Sequence, residues 1–394
     1  MAKKTIRDLK DLSGARLFVR VDYNVPVKEG RITDDTRIRA SLPTLEHLLK
    51  GGASLVLASH LGRPKKGPAP EFSLKPVAAR LSELLGRPVA MAPDCVGDEV
   101  RKAAQGLAPG GVLLLENVRF HPEEEKNDAA FAKRLIEDTG ATVFVNDAFG
   151  SAHRAHASTE GVSHHVKTSV AGLLMEKEIK YLGMALEAPE RPFVAILGGA
   201  KVSDKIQVIE SLLPRVDTLL VGGGMAYTFF RAQGLSIGKS LLEDDKVDLA
   251  RDLLARGKGK LQLPTDHVVA AEFKAEAASK TLPVSEIPDG WMGLDVGPAT
   301  RKAFGEVVSK AKIVLWNGPM GVFEMKPFAE GTLAMARALA DSKATTIVGG
   351  GDSVAAVTQM GLADKITHVS TGGGASLEFL AGDPLPGVAC LQEA

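Results

Sequence analysis

Cysteine is nearly absent from this chain, which carries only Cys95 and Cys390. Their positions give no ligand-type spacing, so neither a disulfide framework nor a structural zinc module is expected to hold the fold. Two free thiols in a reducing compartment are the expectation instead. Charge of one sign is also lacking, because Lys+Arg and Asp+Glu both number 48. That balance argues against a protein whose main business is coating nucleic acid or an anionic membrane. No run of about 18 apolar residues occurs, so no segment is expected to span a bilayer. The N-terminal residues MAKKT lead into more charge with no apolar stretch behind them, which is not the pattern of a secretory signal. Low-complexity linkers and short-period repeats are missing as well.

What is present is ordinary globular material in unusual order. The chain has 394 residues, 45% apolar and 24% charged. At roughly 100–200 residues per domain that length calls for two domains. Short apolar runs recur at 17–21, 54–58, 112–115 and 142–145, and again at 193–197, 218–221, 313–316 and 345–348. Each has the length of a buried strand, and most are rich in Val, Leu and Ile. Helical stretches such as 75–85 and 204–213 lie between many of them. Buried strands alternating with helices predict an α/β fold with parallel sheets, two of them by the count. Met175, Ile179, Leu182 and Leu186 fall at helical spacing, and the Pro-rich segment 188–192 then breaks the helix. A helix over 171–188 is therefore expected to join the domains 1–170 and 189–374.

Ligands of α/β sheets sit at the carboxyl ends of the strands, so the residues that follow each strand carry the functional signal. In the first half these are polar and basic. RVDYNVP (20–26), SHLGRP (59–64), LENVRF (115–120) and VNDAFGSAHRAHAS (145–158) deliver Asp22, Asn24, His60, Arg63, Arg119, His153, Arg154 and His156, with Arg37 and Arg39 shortly after the first. Several arginines converging on one sheet edge repel one another unless an anion fills the space. Arginine also suits bidentate grip on carboxylate and phosphate. A small, multiply anionic substrate is expected in the first domain. A single arginine after a strand is usually a solvated surface residue, and the histidines also read as packing residues.

In the second half the followers are glycines, beginning at Gly198, Gly222, Gly349 and Gly372. Glycines between a strand and a helix let backbone N–H groups approach a phosphate at the helix N-terminus. Lys201 and Lys205 stand four apart, and the spacing predicts one face at the start of a helix, where like charges cost roughly 0.2–0.5 kcal/mol. They also sit at the positive end of its dipole, and a bound polyphosphate would reverse both penalties. Asp352 and Ser353 read either as helix-capping residues or as a Mg²⁺ ligand and a phosphate donor. Other motifs fail. Gly238-Lys239-Ser240 resembles the end of a phosphate loop, but Gln233 stands where its first glycine should be. At Gly222 the third glycine of a dinucleotide fingerprint is Tyr227. Protein-kinase and hydrolase signatures are missing.

These segments, together with TDDTRIRA (33–40), GGAKVSDK (198–205), WNGPMGVFE (316–324), VGGGDS (348–353) and STGGGASLEFL (370–380), resemble the phosphoglycerate kinase family in order and across essentially the whole chain. Tyr23 stands where Phe or Leu is expected and Ser353 where Thr is common. The resemblance implies two Rossmann-like domains, a C-terminal tail 375–394 that packs back on the first, and a cytoplasmic monomer. It implies 3-phosphoglycerate held by Asp22, Asn24, Arg37, His60, Arg63, Arg119 and Arg154. It implies MgADP or MgATP held by Lys201, Lys205, Gly293, Glu324, Gly350, Gly351, Asp352 and Ser353, with Asp352 on the Mg²⁺. In-line transfer without a phosphoenzyme is expected, Arg37, Lys201, Lys205 and the N–H groups of Gly351 and Gly372 sharing the moving charge. Hinge closure is expected to accompany it. The alternatives are another α/β enzyme of a phosphorylated metabolite, such as an NAD-dependent dehydrogenase, or a non-catalytic nucleotide-binding protein.

Overall fold

Runs of Val, Leu and Ile without polar alternation are stable as strands only where both sheet faces are covered by helices. The chain builds two such sheets. The computed structural model describes residues 2–65, 67–187 and 189–394. They divide into two compact units, Met1–Lys180 with Pro384–Ala394, and Tyr181–Asp383.

In the first unit the strands are β1 (Arg16–Arg20), β2 (Val27–Lys28), β3 (Arg31–Ile32), β4 (Ser54–Ala58), β5 (Val89–Met91), β6 (Val112–Leu114), β7 (Val143–Asn146) and β8 (Thr168–Ala171). All but the small β2-β3 hairpin form one parallel sheet, ordered β5-β6-β4-β1-β7-β8. The helices are α1 (Thr36–Lys50), α2 (Lys75–Leu85), α3 (Asp98–Gln105), α4 (Pro122–Glu125) and α5 (Ala129–Thr139). Leu17, Val19, Leu55 and Leu57 meet Leu45, Leu48, Val77 and Leu81 in a fully buried core. Burying each such side chain contributes about 1.5–3 kcal/mol. The basic segments emerge at the carboxyl ends of β1, β4, β6 and β7.

Helix α6 (Leu173–Leu186) carries the chain from the first unit into the second. Met175, Ile179 and Leu182 form its buried stripe, as their spacing requires. Residue 188, the last of the expected joining helix, lies outside the described residues. The second unit contains β9 (Phe193–Leu197), α7 (Ile206–Leu212), β10 (Thr218–Val221), α8 (Ala226–Ala232), α9 (Val247–Arg256), β11 (Leu261–Gln262), β12 (Asp266–Ala270), β13 (Ser279–Pro283), β14 (Met292–Val296), α10 (Pro298–Ser309), β15 (Ile313–Asn317), α11 (Glu330–Asp341), β16 (Thr345–Gly349), α12 (Gly351–Gln359), β17 (His368–Val369) and α13 (Gly374–Ala381). Its parallel sheet runs β11-β10-β9-β15-β16-β17. Numbered within the sheet this is the order 3-2-1-4-5-6 of dinucleotide-binding folds, whose ligand crevice lies where the order reverses, between β9 and β15. A separate antiparallel sheet, β13-β12-β14, is inserted between β11 and β15 in sequence.

Two expectations about local structure change. Lys201 and Lys205 do not share a helix face, because α7 begins only at Ile206 and residues 201–205 form the turn before it. The returning tail begins at Pro384 rather than 375, because α13 packs against α7 in the second unit. From Pro384 onward the tail includes α14 (Pro386–Ala389) and is bonded into the first unit. Gly387 N–H donates to Ala152 O at 2.8 Å, and Gln392 N–H donates to Ser169 O at 3.0 Å. Asn146 Nδ2 donates to Gly387 O at 2.8 Å.

Candidate active site

The open end of the first sheet gathers cations that a folded protein would otherwise keep apart. Arg37, in the first turn of α1, donates from Nη1 to Asp22 Oδ2 at 2.8 Å. Asp22 follows β1 and is buried, so it fixes the guanidinium from behind, and the other guanidinium nitrogens have no hydrogen-bond partner among the described residues. Asn24 Oδ1 accepts the Gly62 N–H at 2.8 Å, which ties the β1 loop to the β4 loop. Arg119 Nη1 donates to Gly62 O at 2.8 Å, and its Nε lies 3.2 Å from Glu125. Arg154 is half-buried and Arg63 exposed.

The electrostatics show that these groups feel one another. Burial lowers the pKa of Arg119, Glu125 opposes that, and Arg154 and Arg63 lower it further. Burial holds His60 well below the usual histidine range, with Arg20, Arg119, Arg37 and His156 adding to the effect. His156 is pushed down to about 4 by burial, then by Arg119, Arg20, Arg154 and His153. Both rings are neutral near pH 7. The residues expected to hold the anionic substrate thus follow the carboxyl ends of one sheet's strands, on loops, on a 3-10 turn at Arg119 and on the first turn of α1 at Arg37. Chemically the cluster suits a ligand with two anionic ends, each able to accept forked N–H bonds.

Arg20 is a functional candidate that the sequence does not reveal. As the last residue of β1 it reads as a strand residue, yet it is 1% exposed. Its Nε donates to Ser158 Oγ at 2.8 Å, and Ser158 Oγ donates to Glu124 Oε1 at 2.6 Å. Ser158 N–H reaches Glu124 Oε2 at 2.9 Å. A buried chain of charge and hydroxyl therefore runs beneath the cation cluster.

In the second unit the reversal point between β9 and β15 opens into a cavity of about 480 Å³. Gly199 and Ala200 after β9, Gly223 and Gly224 after β10, Pro319 to Val322 after β15, and Asp352 in α12 form its walls, with Gly293 and Glu324. Three of the expected nucleotide residues, Gly293, Glu324 and Asp352, thus face one space. Gly293 has a physical reason: a Cβ there would lie 1.5 Å from Tyr227 Oη. Its N–H donates to Ser240 Oγ at 2.9 Å. Tyr227 Oη in turn meets His267 Nδ1 at 3.0 Å, forming a buried polar floor. Asp295, also on the wall, is raised to about 7 by burial although Gly331 and Val296 N–H groups oppose the shift.

Lys205 is buried and donates from Nζ to Asn317 Oδ1 at 2.6 Å. Burial lowers its pKa, and Asp204 and Asp352 raise it back. Lys201 is exposed. Asn317, the last residue of β15, is a second candidate the sequence did not single out. Its oxygen is held by Lys205, and its buried Nδ2 has no hydrogen-bond partner. That amide lies 3.2 Å from where a Cβ of Gly350 would stand, so a larger residue there would crowd it. Gly350 also sits at φ 85°, a conformation that favours glycine. It caps α12, whose first N–H groups at Gly351 have no intrahelical acceptor. An ammonium, an amide N–H without a partner among the described residues and a helix N-terminus are the donor types that a phosphate takes.

Of two expected donors, one is buried and one is already spent. Ser353 is fully buried, and its Oγ accepts the Gly318 N–H at 2.7 Å. Gly372 N–H donates to Ser370 Oγ at 3.1 Å. The Gly372 N–H is thus committed to its own loop, whereas Ser353 accepts one bond and keeps its hydroxyl hydrogen uncommitted.

Comparison with known proteins agrees with this geometry. The family model described as phosphoglycerate kinase matches residues 6–383. A cytosolic phosphoglycerate kinase of Triticum aestivum is 62% identical, covering 98% of this chain and 97% of that protein. The phosphoglycerate kinase of Moorella thermoacetica is 61% identical with both chains fully covered. The solved structure of phosphoglycerate kinase from Coxiella burnetii superposes with a TM-score of 0.90 at 42% identity, covering 98% of each chain.

Proposed function

This chain belongs to the phosphoglycerate kinase family, and from that premise we propose how its residues divide the work. The enzyme is a glycolytic phosphotransferase that passes the acyl phosphate of 1,3-bisphosphoglycerate to ADP, and it works reversibly with 3-phosphoglycerate and ATP. The observation that carries the assignment is the cation cluster of the first unit, which lacks enough anionic partners of its own. Arg63, Arg119 and Arg154 with His60 hold one anionic end of the triose acid. Asp22, Asn24 and Arg37 set the reacting end. In the second unit the 480 Å³ cavity takes the nucleoside, with Glu324 at the ribose and the glycine wall including Gly293 against the base. Lys201, Lys205 and the N–H groups at Gly350 and Gly351 take the phosphates, and Ser353 supports that loop from beneath.

A Mg²⁺ ion carried by the nucleotide fits these residues. The exposed Asp352 carboxylate has no hydrogen-bond or ion-pair partner among the described residues. One such hard oxygen with phosphate oxygens and water is the donor set Mg²⁺ takes. Bound there, the ion would neutralise phosphate charge. Asp352→Ala is expected to raise the Mg²⁺ concentration for half-maximal rate about tenfold, equivalent to ~1.4 kcal/mol. A Mg²⁺ titration with unchanged midpoint would reduce Asp352 to a helix-end residue.

Transfer is direct and in line, with no phosphoenzyme, so the protein positions reactants and stabilises charge. The triose acid and the nucleotide bind to different units, so catalysis requires closure, with α6 and the segment near Gly372 as hinges. Small-angle scattering is expected to give a smaller radius of gyration with both ligands saturating than with either alone. An identical radius in all states would count against large closure. The protein acts as a cytoplasmic monomer. The activity itself is tested by coupled detection of ATP formed from bisphosphoglycerate and ADP. No ATP, or hydride transfer with NAD instead, would refute the assignment.

A further inference from the structure

The buried chain under the cation cluster has a consequence for His60. Arg20 Nη2 lies 3.0 Å from His60 Nδ1. A guanidinium has only donors and does not lose its proton at accessible pH. Nδ1 must therefore be the acceptor, and the ring proton must be on Nε2. Nε2 has no protein partner among the described residues and is not among the sealed, unpartnered atoms. It is the ring nitrogen left for a ligand.

We propose that Arg20 is a positioning residue that locks His60 as the Nε2–H tautomer, so that His60 meets the substrate as a neutral hydrogen-bond donor rather than as a cation or an acceptor. The proposal rests on the assignment of His60 to the triose-acid site. Arg20 is itself held on every side. Nε is on Ser158, Nη1 donates to Val21 O, and Nη2 is on His60. Glu124, fixed by two bonds from Ser158, supplies the counter-charge. With three donors committed, the guanidinium cannot turn to release the ring.

The cations that act on His60 are Arg20, Arg119 and Arg37, with the basic but neutral ring of His156 beside them. Protonating His60 would place another cation among them. The lock thus does two things. It presents a donor to an anionic oxygen, and it keeps the ring from titrating in the pH range where it would otherwise change charge. A free histidine would offer an acceptor lone pair to the substrate in one tautomer, which repels carboxylate and phosphate oxygens alike.

The test uses the full-length enzyme with ¹⁵N-labelled histidine and long-range ¹H–¹⁵N correlation spectra, His60 being assigned by loss of its signals in His60→Gln. The native protein is expected to show a single Nε2–H ring for His60, unchanged from pH 6 to pH 8. A native ring protonated on Nδ1, or on both nitrogens, overturns the proposal without any Arg20 variant being needed. In Arg20→Met the ring is expected to become a tautomer mixture that titrates. The KM for 3-phosphoglycerate should rise about tenfold with a smaller change in kcat, as for one lost hydrogen bond to a charged group. That KM should also become pH-dependent. Arg20→Lys retains a donor and should restore the single tautomer. If Arg20→Met keeps one Nε2–H ring and a flat pH profile, Arg20 does not set the tautomer. If the tautomer is lost but KM is unchanged, the lock stands and the placing of His60 on the substrate fails. Should Arg20→Met not fold, Ser158→Ala removes one of the three anchors and should broaden the His60 signals in the same direction. An unbroadened, single ring there counts against the lock.

Discussion

Arg37→Ala should lower kcat by about 10²–10³-fold, the usual cost of removing one preorganised donor from a developing charge. The size follows from how this side chain is held. Asp22 takes one nitrogen, Nη1, at 2.8 Å, and stands behind it in a buried position. The remaining donors of the fork have no partner among the described residues, and the side chain keeps 35% exposure toward solvent. A guanidinium anchored on one edge and open on the other can follow a phosphoryl group without first breaking a bond of its own. It also needs little reorganisation, which is what makes a fixed donor worth more than water. Because Arg37 is only half-buried, the alanine variant should fold and melt close to the native protein, within about 1 kcal/mol. The loss should appear in kcat more than in the KM of either substrate, since the contact tightens with the transferring charge. Arg37→Lys keeps the charge but not the fork and should recover only part of the rate. Steady-state kinetics in both directions decide the matter. Turnover within a few-fold of native would remove Arg37 from the chemistry.

Glu124→Ala should destabilise the protein by about 3–5 kcal/mol, as expected when one partner of a buried charge pair is deleted. Glu124 is 0% exposed and Arg20 1%. Burial pushes the Glu124 carboxyl up and the Arg20 guanidinium down, and each group opposes the shift of the other. Glu124 stays ionised because Arg20 cannot shed its charge. Alanine would leave that charge in the core with Asp22 as its remaining acidic neighbour. It would also leave the Ser158 hydroxyl and N–H without their acceptor. Glu124→Gln is the informative companion. It keeps the shape and an acceptor for Ser158 while removing the charge, so it should fall between alanine and native. Urea melts followed by circular dichroism measure both. A Glu124→Ala midpoint shift worth less than about 1 kcal/mol would show that the pair is not a stabilising unit.

The strand pattern was readable where strands are fully buried. The runs 54–58, 193–197 and 218–221 coincide with β4, β9 and β10 because continuous Val, Leu and Ile satisfy no other element of that length. The edge strands β5, β8, β11 and β17 were not, since two to four residues carry no period and depend on a neighbour for their hydrogen bonds. The insert β12 to β14 escaped for a similar reason, because β13 is mostly exposed and polar. Lys201 and Lys205 were placed on a helix face by spacing alone. The glycines before them instead hold the chain in a turn, and burial then separates two lysines that look equivalent.

The gathering of Arg63, Arg119 and Arg154 at one sheet's carboxyl end was legible because each comes after a buried strand, and strand ends are fixed by the same apolar runs that make the core. Nothing in the sequence distinguishes Glu124 from Glu123 and Glu125, although only the middle one is buried. Nor does it mark Arg20 or Asn317, which sit inside or at the end of strands where position looks structural. By itself the sequence determined the two parallel sheets and the chemistry delivered to their carboxyl ends, because hydrophobic run length and residue type are local properties. Which charges are buried, which donors are already spent and which nitrogen of His60 is engaged by Arg20 were decided only by the tertiary structure. Those depend on groups as far apart as Arg20, His60, Glu124 and Ser158 being brought within hydrogen-bond distance.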